Sequence, residues 1–347
     1  MSMNEREFLP FYERLASCLP GYVASRVIVS ALLGFVFLAM HHLIGSPVLT
    51  AGRVTDWSWF LALLISVAML CLYYATYTLG NVCAEFDTRA SADEQAAYKC
   101  TLNNTLSDSK FVLAGLFFGL LNCIVGLQLG LPYGSPFART TILIGYFVAG
   151  FVSGMAVWGI YGVTKVVDAF SIKARRSFDF TSPDGCGGTG FVGDSLIVFS
   201  SVVLLVGVMI SIYMLKTEWL NHDAWFFGPI KAFWILFPYG CSLVALFGPA
   251  IPIARELRLY KIEQEIILQK YLSQIRSALE TGTDAAERKA LREDHDFVQN
   301  RRKDLHGMRT WPFGAGANLK YLTVFAANVS LHFSSKVAKL IENWLRP

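Results

Sequence analysis

A glycine-rich stretch is the part of the sequence whose residue types best suit binding chemistry. It runs Ser182-Pro-Asp-Gly-Cys-Gly-Gly-Thr-Gly-Phe-Val-Gly193 and contains Gly185, Gly187, Gly188, Gly190 and Gly193. Glycines let backbone N–H groups converge at a helix N-terminus, which favours an anion such as a lipid phosphate. Arg175 and Arg176 are close in sequence and add positive charge. The stretch therefore indicates an anion- or lipid-binding loop, and a tight turn that returns the chain to the bilayer is the simpler alternative.

The same glycines formally match the dinucleotide pattern G-x-G-x-x-G from Gly188 to Gly193. That motif works only between a strand and a helix of a βαβ unit, which this sequence does not predict. The sequence contains no HExxH, GxSxG or GxxxxGK[ST] motif. We therefore expect none of the zinc-protease, serine-hydrolase or P-loop nucleotide chemistry that depends on these motifs. The seven cysteines contain no CxxC pair, so we expect free thiols and no metal site. We predict no catalytic residues, no cofactor and no enzymatic activity.

Small residues recur at helical spacing in the third and fourth apolar segments. Glycine lets two helix backbones approach closely, so such pairs are typical of tightly packed membrane helices. Packing inside one bundle is the simpler interpretation, and a subunit interface or a pore-lining face is the alternative. The pairs are Gly115 with Gly119, Gly126 with Gly130, and Gly150 with Gly154.

Two prolines, Pro249 and Pro252, lie near the end of the last long apolar segment. Proline removes a helical hydrogen bond and bends the helix, so we expect a kink there. A kink at this position is a candidate gate, although distorted packing is the commoner outcome.

Six apolar segments are long enough to cross a bilayer, which takes about 20 residues. Hydrophobic residues make up 54% of the chain and charged residues only 16%, against about 25% in a typical soluble domain. The composition predicts an all-α polytopic membrane protein, with Arg26 snorkelling at the start of the first segment. The predicted segments are 22–44, 57–79, 111–131, 140–164, 195–215 and 232–253.

The distribution of positive charge orients these segments. On one side of the membrane, three Lys or Arg residues lie up to the start of the first segment, three between the second and third segments, and four between the fourth and fifth. The other side has four in total. The positive-inside rule places both termini in the cytoplasm. We interpret the net charge of +4 as a membrane-surface balance, and we expect no nucleic-acid partner.

None of the segment centres contains Asp, Glu, Lys, Arg or His. Proton-coupled pumps and transporters usually need such groups at depth. A pore can instead be built from backbone carbonyls and neutral side chains.

The chain divides into four parts: a cytoplasmic segment (1–21), a transmembrane domain (22–253), a helical hairpin (254–309) and a C-terminal segment (310–347). The hairpin carries apolar stripes that could pair with each other or with a neighbouring subunit. The C-terminal segment has one apolar face and predicts an interfacial amphipathic helix, lying on the inner leaflet or docked on the bundle, with Trp311 and Trp344 as anchors. Its stretch without Lys, Arg, Asp or Glu, 321–335, is short for a crossing, so a seventh span is the less favoured alternative.

Pro183-Asp-Gly-Cys-Gly-Gly188 and Met308-Arg-Thr-Trp-Pro-Phe313 resemble motifs of a group of prokaryotic multi-spanning membrane proteins without an assigned activity. The motifs occur there in the same order, and the resemblance covers roughly residues 168–321. It implies a prokaryotic inner (cytoplasmic) membrane and no particular chemistry. Gly314 stands where that group often has Asp, which removes a helix N-cap.

These observations favour an oligomeric channel or pore, because the segments are uncharged and carry glycine faces. A membrane scaffold or sensor that binds a cytoplasmic protein, in a defence or stress system, is the second hypothesis. A lipid-handling protein that uses the glycine loop is the third. The predicted partners are therefore membrane lipid, further copies of this chain and a cytoplasmic protein.

Overall fold

A computed structural model describes residues 10–44, 56–89, 91–173, 178–281 and 285–313, together with 323, 325 and 326. The helices in these ranges are α1 (Phe11–Ala16), α2 (Tyr22–Ile44), α3 (Ser58–Arg89), α4 (Ala92–Thr105), α5 (Asp108–Leu129), α6 (Pro136–Lys173), α7 (Gly190–Lys216), α8 (Phe227–Thr281) and α9 (Ala285–Gly307). The described residues form no β-strand, which confirms the all-α class.

Six of these helices, α2, α3, α5, α6, α7 and α8, are long and apolar enough to cross a membrane. Their number and order confirm the prediction of a polytopic membrane protein. Several extend well beyond the predicted bounds, because a helix can continue into water after its apolar stretch has ended. Helix α8 is the longest and runs through Pro249, Pro252 and also Pro238 before it enters the hairpin.

Helices α5 and α6 pack closely through five of the six glycines identified above. A Cβ atom on Gly154 would lie 2.4 Å from the carbonyl oxygen of Ala114, and one on Gly150 would lie 2.6 Å from that of Phe118. Neither position leaves room for a side chain without separating the backbones. On the other glycines, a Cβ would meet aromatic rings of α6: Phe151 for Gly115, Phe147 for Gly119 and Tyr146 for Gly126.

Gly130 differs from the prediction, because it lies outside this helix pair. It ends α5 with φ +79°, a conformation that glycine adopts at little cost. Its carbonyl oxygen accepts a hydrogen bond from the N–H of Leu220 at 3.0 Å. This glycine therefore ties the end of α5 to the connection before α8.

Arg26 does not snorkel. Its Nε donates to Glu13 Oε2 at 3.0 Å, and both side chains are buried. Glu13 lies on α1, so the short N-terminal helix folds back onto the start of α2. Burial raises the pKa of Glu13, and the Arg26 guanidinium opposes that shift.

The hairpin of α8 and α9 closes through polar contacts at the C-terminal end of α9. Arg302 pairs with Glu265 at 2.6 Å, and Lys261 Nζ donates to the carbonyl oxygens of His306 and Met308, both at 2.9 Å. The end of α9 is thereby held against α8 close to the membrane domain.

Two of the residues described after α9, Trp311 and Phe325, contact the apolar stretch of α8. The rings of Trp311 and Phe247 are 6.5 Å apart, and those of Phe325 and Tyr239 are 6.0 Å apart. Tyr239 lies about 18 Å along α8 from its first residue, well inside the apolar stretch. Phe325 is therefore docked on the bundle beside the apolar stretch of α8, which is one of the two predicted positions for this segment. Trp344 lies outside the described residues.

Candidate functional site

A cavity of about 820 Å³ lies inside the bundle. Its walls come mainly from α3, α5, α6, α7 and α8, with residues of α1, α2 and α4 at one end, so the cavity lies within a single chain. Pockets that bind small organic ligands have a similar volume, about 300–1,000 Å³. The middle of the cavity is apolar and is lined by Leu64, Ala68, Val152, Val203, Val206 and Ala245.

Aromatic side chains close one end of the cavity, at the ends of α5 and α7. The hydroxyls of Tyr146 and Tyr213 are 2.9 Å apart and hydrogen-bonded. The indoles of Trp219 and Trp234 complete this layer, and all four side chains are buried. The charge-based prediction of orientation would place this end on the extracytoplasmic side.

The other end of the cavity is polar and carries a charge pair. Lys99 Nζ lies 2.9 Å from Asp87 Oδ1, and the Tyr98 hydroxyl donates to the same carboxylate. Burial raises the pKa of Tyr98, and its hydrogen bond to Asp87 adds to the effect, so the phenol stays a neutral donor. Gly80 and Asn81 line this end and are exposed. The cavity therefore opens on the side where the charges lie.

Helix α1 forms part of the wall at this open end. Tyr12 lines the cavity and its hydroxyl lies 2.9 Å from Thr76 Oγ1. The N–H of Phe11 donates to Asp108 Oδ1 at 2.9 Å, which fixes α1 to the start of α5. The N-terminal helix thus narrows the opening between α3 and α5.

The glycine loop folds around its own acidic residue. Asp184 accepts hydrogen bonds from the N–H groups of Cys186, Gly188 and Gly190 at 2.8, 3.0 and 2.9 Å. Burial alone would raise the pKa of Asp184, but these N–H donors outweigh burial and lower it. The backbone N–H groups that were predicted to bind an external anion therefore bind the Asp184 carboxylate of the same chain. Arg175 and Arg176 lie outside the described residues.

The glycine loop also contacts the segment that follows α9. The N–H of Arg309 donates to the carbonyl oxygen of Gly185 at 2.8 Å. A Cβ on Gly187, which has φ +65°, would lie 2.9 Å from Met308 Cε. The two motifs on which the family resemblance rests thus meet in space, and their glycines permit the close approach.

The predicted site residues fall into separate regions. Gly126, Gly150 and Pro249 line the cavity, whereas the glycine loop and Trp311 lie at the junction with the hairpin. Sequence reasoning missed the charge pair of Asp87 and Lys99 at the cavity mouth. For the cavity itself, the available sequence signal was a series of small residues along two helices, because small side chains leave space between neighbouring helices. These residues are Ala68, Ala75 and Gly80 on α3, and Ala149, Ser153 and Ala156 on α6.

Comparison of the chain with family models, curated proteins and solved structures found no match. Across the part of the chain that the structure describes, no three His, Cys, Asp or Glu residues come together as metal ligands.

Proposed function

We propose that this integral membrane protein binds a lipid-like, amphipathic molecule in the cavity of its helix bundle. The observation that carries the proposal is the polarity of the cavity, which is apolar along its length and charged at its open end. An acyl chain gains free energy from the apolar wall, about 0.8 kcal/mol for each buried CH₂ group. A polar headgroup would lie by Asp87, Lys99 and Tyr98.

The chain of such a ligand would extend from the mouth toward the hydrogen-bonded pair of Tyr146 and Tyr213. Leu61 and Asp87, near the two ends of the cavity, both belong to α3. They are 26 residues apart, or about 39 Å along a helix. The charged end corresponds to the cytoplasmic side of a prokaryotic inner membrane in this proposal, and no catalytic step is part of it.

A channel is the second candidate, and the uncharged wall of the cavity favours it. Because the space lies within one chain, this pathway would run through each subunit and not between subunits. The aromatic layer at Tyr146 and Tyr213 would then be the closed gate. Single-channel recording on the protein in planar bilayers tests this candidate directly.

Native mass spectrometry of protein released from a neutral detergent tests the binding proposal. We expect a retained lipid of defined mass on the wild-type chain. Gly80→Phe should abolish retention, because position 80 lines the cavity and a Cβ there meets none of the described atoms within 4 Å. We expect the new ring to obstruct the exposed mouth of the cavity without distorting the helix.

Gly240→Phe is the matched control. Gly240 is also a helical glycine at which a Cβ meets no atom of the described residues within 4 Å, and it does not line the cavity. It should retain the lipid like the wild type. Equal retention by the two variants, or a wild-type chain that carries no defined lipid, would refute the proposal.

A further inference from the structure

The polar mouth of the cavity has no net charge. Asp87 and Lys99 are the two charged side chains among the described residues that line the cavity. Lys99 Nζ lies 2.9 Å from Asp87 Oδ1, and each side chain is 38% exposed, so a ligand can reach both. The mouth therefore presents one positive and one negative charge side by side.

Contacts within the protein hold Asp87 in place. The Tyr98 hydroxyl donates to its carboxylate, and Gln95 Nε2 donates to its main-chain carbonyl oxygen at 2.8 Å. Both donors belong to α4, so they fix Asp87, near the end of α3, against that helix. A carboxylate that is already positioned loses little conformational entropy when it binds a ligand.

Both charged groups keep hydrogen-bonding capacity for a ligand. Tyr98 and Lys99 both contact Oδ1 of Asp87, and none of the described residues donates to Oδ2. An ammonium carries three N–H donors, so Lys99 can contact Asp87 and still donate to a second acceptor. A cation of the ligand can therefore bind at Oδ2 while an anion of the ligand binds at Lys99 Nζ.

We propose that the ligand is a zwitterionic lipid, with a phosphate and a primary ammonium in its headgroup. This inference rests on the proposed lipid-binding cavity. The phosphate lies by Lys99 and the ammonium by Asp87, so that opposite charges alternate around the mouth. A headgroup with a net negative charge also meets the Asp87 carboxylate, and a purely cationic headgroup also meets Lys99. In both of these cases, repulsion offsets the attraction.

Competition between three lipids with the same acyl chains tests the headgroup. Delipidated protein in a neutral detergent receives equal amounts of phosphatidylethanolamine, phosphatidylglycerol and diacylglycerol, and native mass spectrometry counts each bound lipid. Binding that Gly80→Phe retains is subtracted, because it lies outside the cavity. We expect the wild type to prefer phosphatidylethanolamine to each of the other two by about fivefold, the upper end for one exposed ion pair.

Asp87→Asn should reverse the preference between the two phospholipids. The asparagine oxygen still accepts from Tyr98, but the mouth now carries only the charge of Lys99 and favours the anionic phosphatidylglycerol. Asp108→Asn is the matched control, because Asp108 also pairs with a cation, Arg14, and is 39% exposed, but does not line the cavity. It should keep the wild-type ratio.

The outcomes distinguish the headgroup from the cavity itself. If the wild type does not prefer phosphatidylethanolamine, or if Asp87→Asn leaves its preference unchanged, the zwitterionic headgroup is overturned while the cavity proposal stands. An equal shift in Asp108→Asn also overturns it, since overall charge would then explain the preference. A wild-type chain that binds none of the lipids, or no more than Gly80→Phe binds, overturns both proposals.

Discussion

Gly193, in the first turn of α7, lies directly beneath Pro312: a Cβ atom at position 193 would be 1.8 Å from the Pro312 carbonyl oxygen. The obstructing atom belongs to backbone, so it cannot rotate away as a side chain would. This contact joins the start of a membrane helix to the segment that leaves the hairpin. Any side chain at position 193 must separate them.

Gly193→Ala should therefore destabilise the protein by about 1–3 kcal/mol, the usual cost of overpacking a filled site. Thermal unfolding in detergent measures the effect. Gly240→Ala is the control, because a Cβ there meets no described atom within 4 Å. An equal unfolding temperature for the two variants would show that the segment around Pro312 is not docked on α7.

Asp184→Asn should destabilise the glycine loop at neutral pH and make little difference in acid. The pKa of Asp184 is lowered in the folded protein, so its ionised form stabilises the fold. This contribution is complete above the ordinary aspartate pKa of 3.8 and is lost as the pH falls through the lower folded value. The difference in unfolding free energy between wild type and variant should shrink in that window. Asp223→Asn is the control, since the Asp223 side chain is 93% exposed.

Arg26→Met should release α1 from the bundle, because it leaves the buried Glu13 carboxylate without its partner. Breaking a buried pair from one side costs about 3–5 kcal/mol. Arg14→Met is a matched comparison: Arg14 pairs with Asp108 at an exposed site, where pairs contribute about 0–1 kcal/mol. Limited proteolysis of the N-terminus reads out both variants, and equal cleavage rates would contradict the difference in burial.

Phe325→Cys should be protected from a membrane-impermeant maleimide, because Phe325 packs on Tyr239 at membrane depth. Gly307→Cys lies at the end of α9, on the hairpin that the positive-inside rule predicts to be cytoplasmic, and should react in inside-out vesicles. Both variants belong in a chain without its native cysteines. Rapid labelling at position 325 would contradict the docked position and would indicate that the C-terminal segment lies on the leaflet surface.

The six membrane helices and their order follow from the amino-acid sequence alone. Long apolar stretches without charge have no other stable arrangement in a bilayer, since every backbone hydrogen bond must be made locally. The glycine pairs also indicated close helix contacts from the sequence alone, because the absence of a side chain is a property of each residue.

The partners of the polar groups, in contrast, depend on how the helices pack. Asp184 accepts hydrogen bonds from the loop N–H groups, and Glu13 forms an ion pair with Arg26. Asp87 forms an ion pair with Lys99 at the mouth of a cavity whose walls come from several helices. For the C-terminal segment, the sequence left open a position on the leaflet or on the bundle, and the contact of Phe325 with Tyr239 places that residue on the bundle. Each outcome depends on contacts between residues that are distant in the chain or held in a specific local turn. Hydropathy and spacing show that a buried polar residue needs a hydrogen-bond or charge partner. The packing of the bundle determines which residue is that partner.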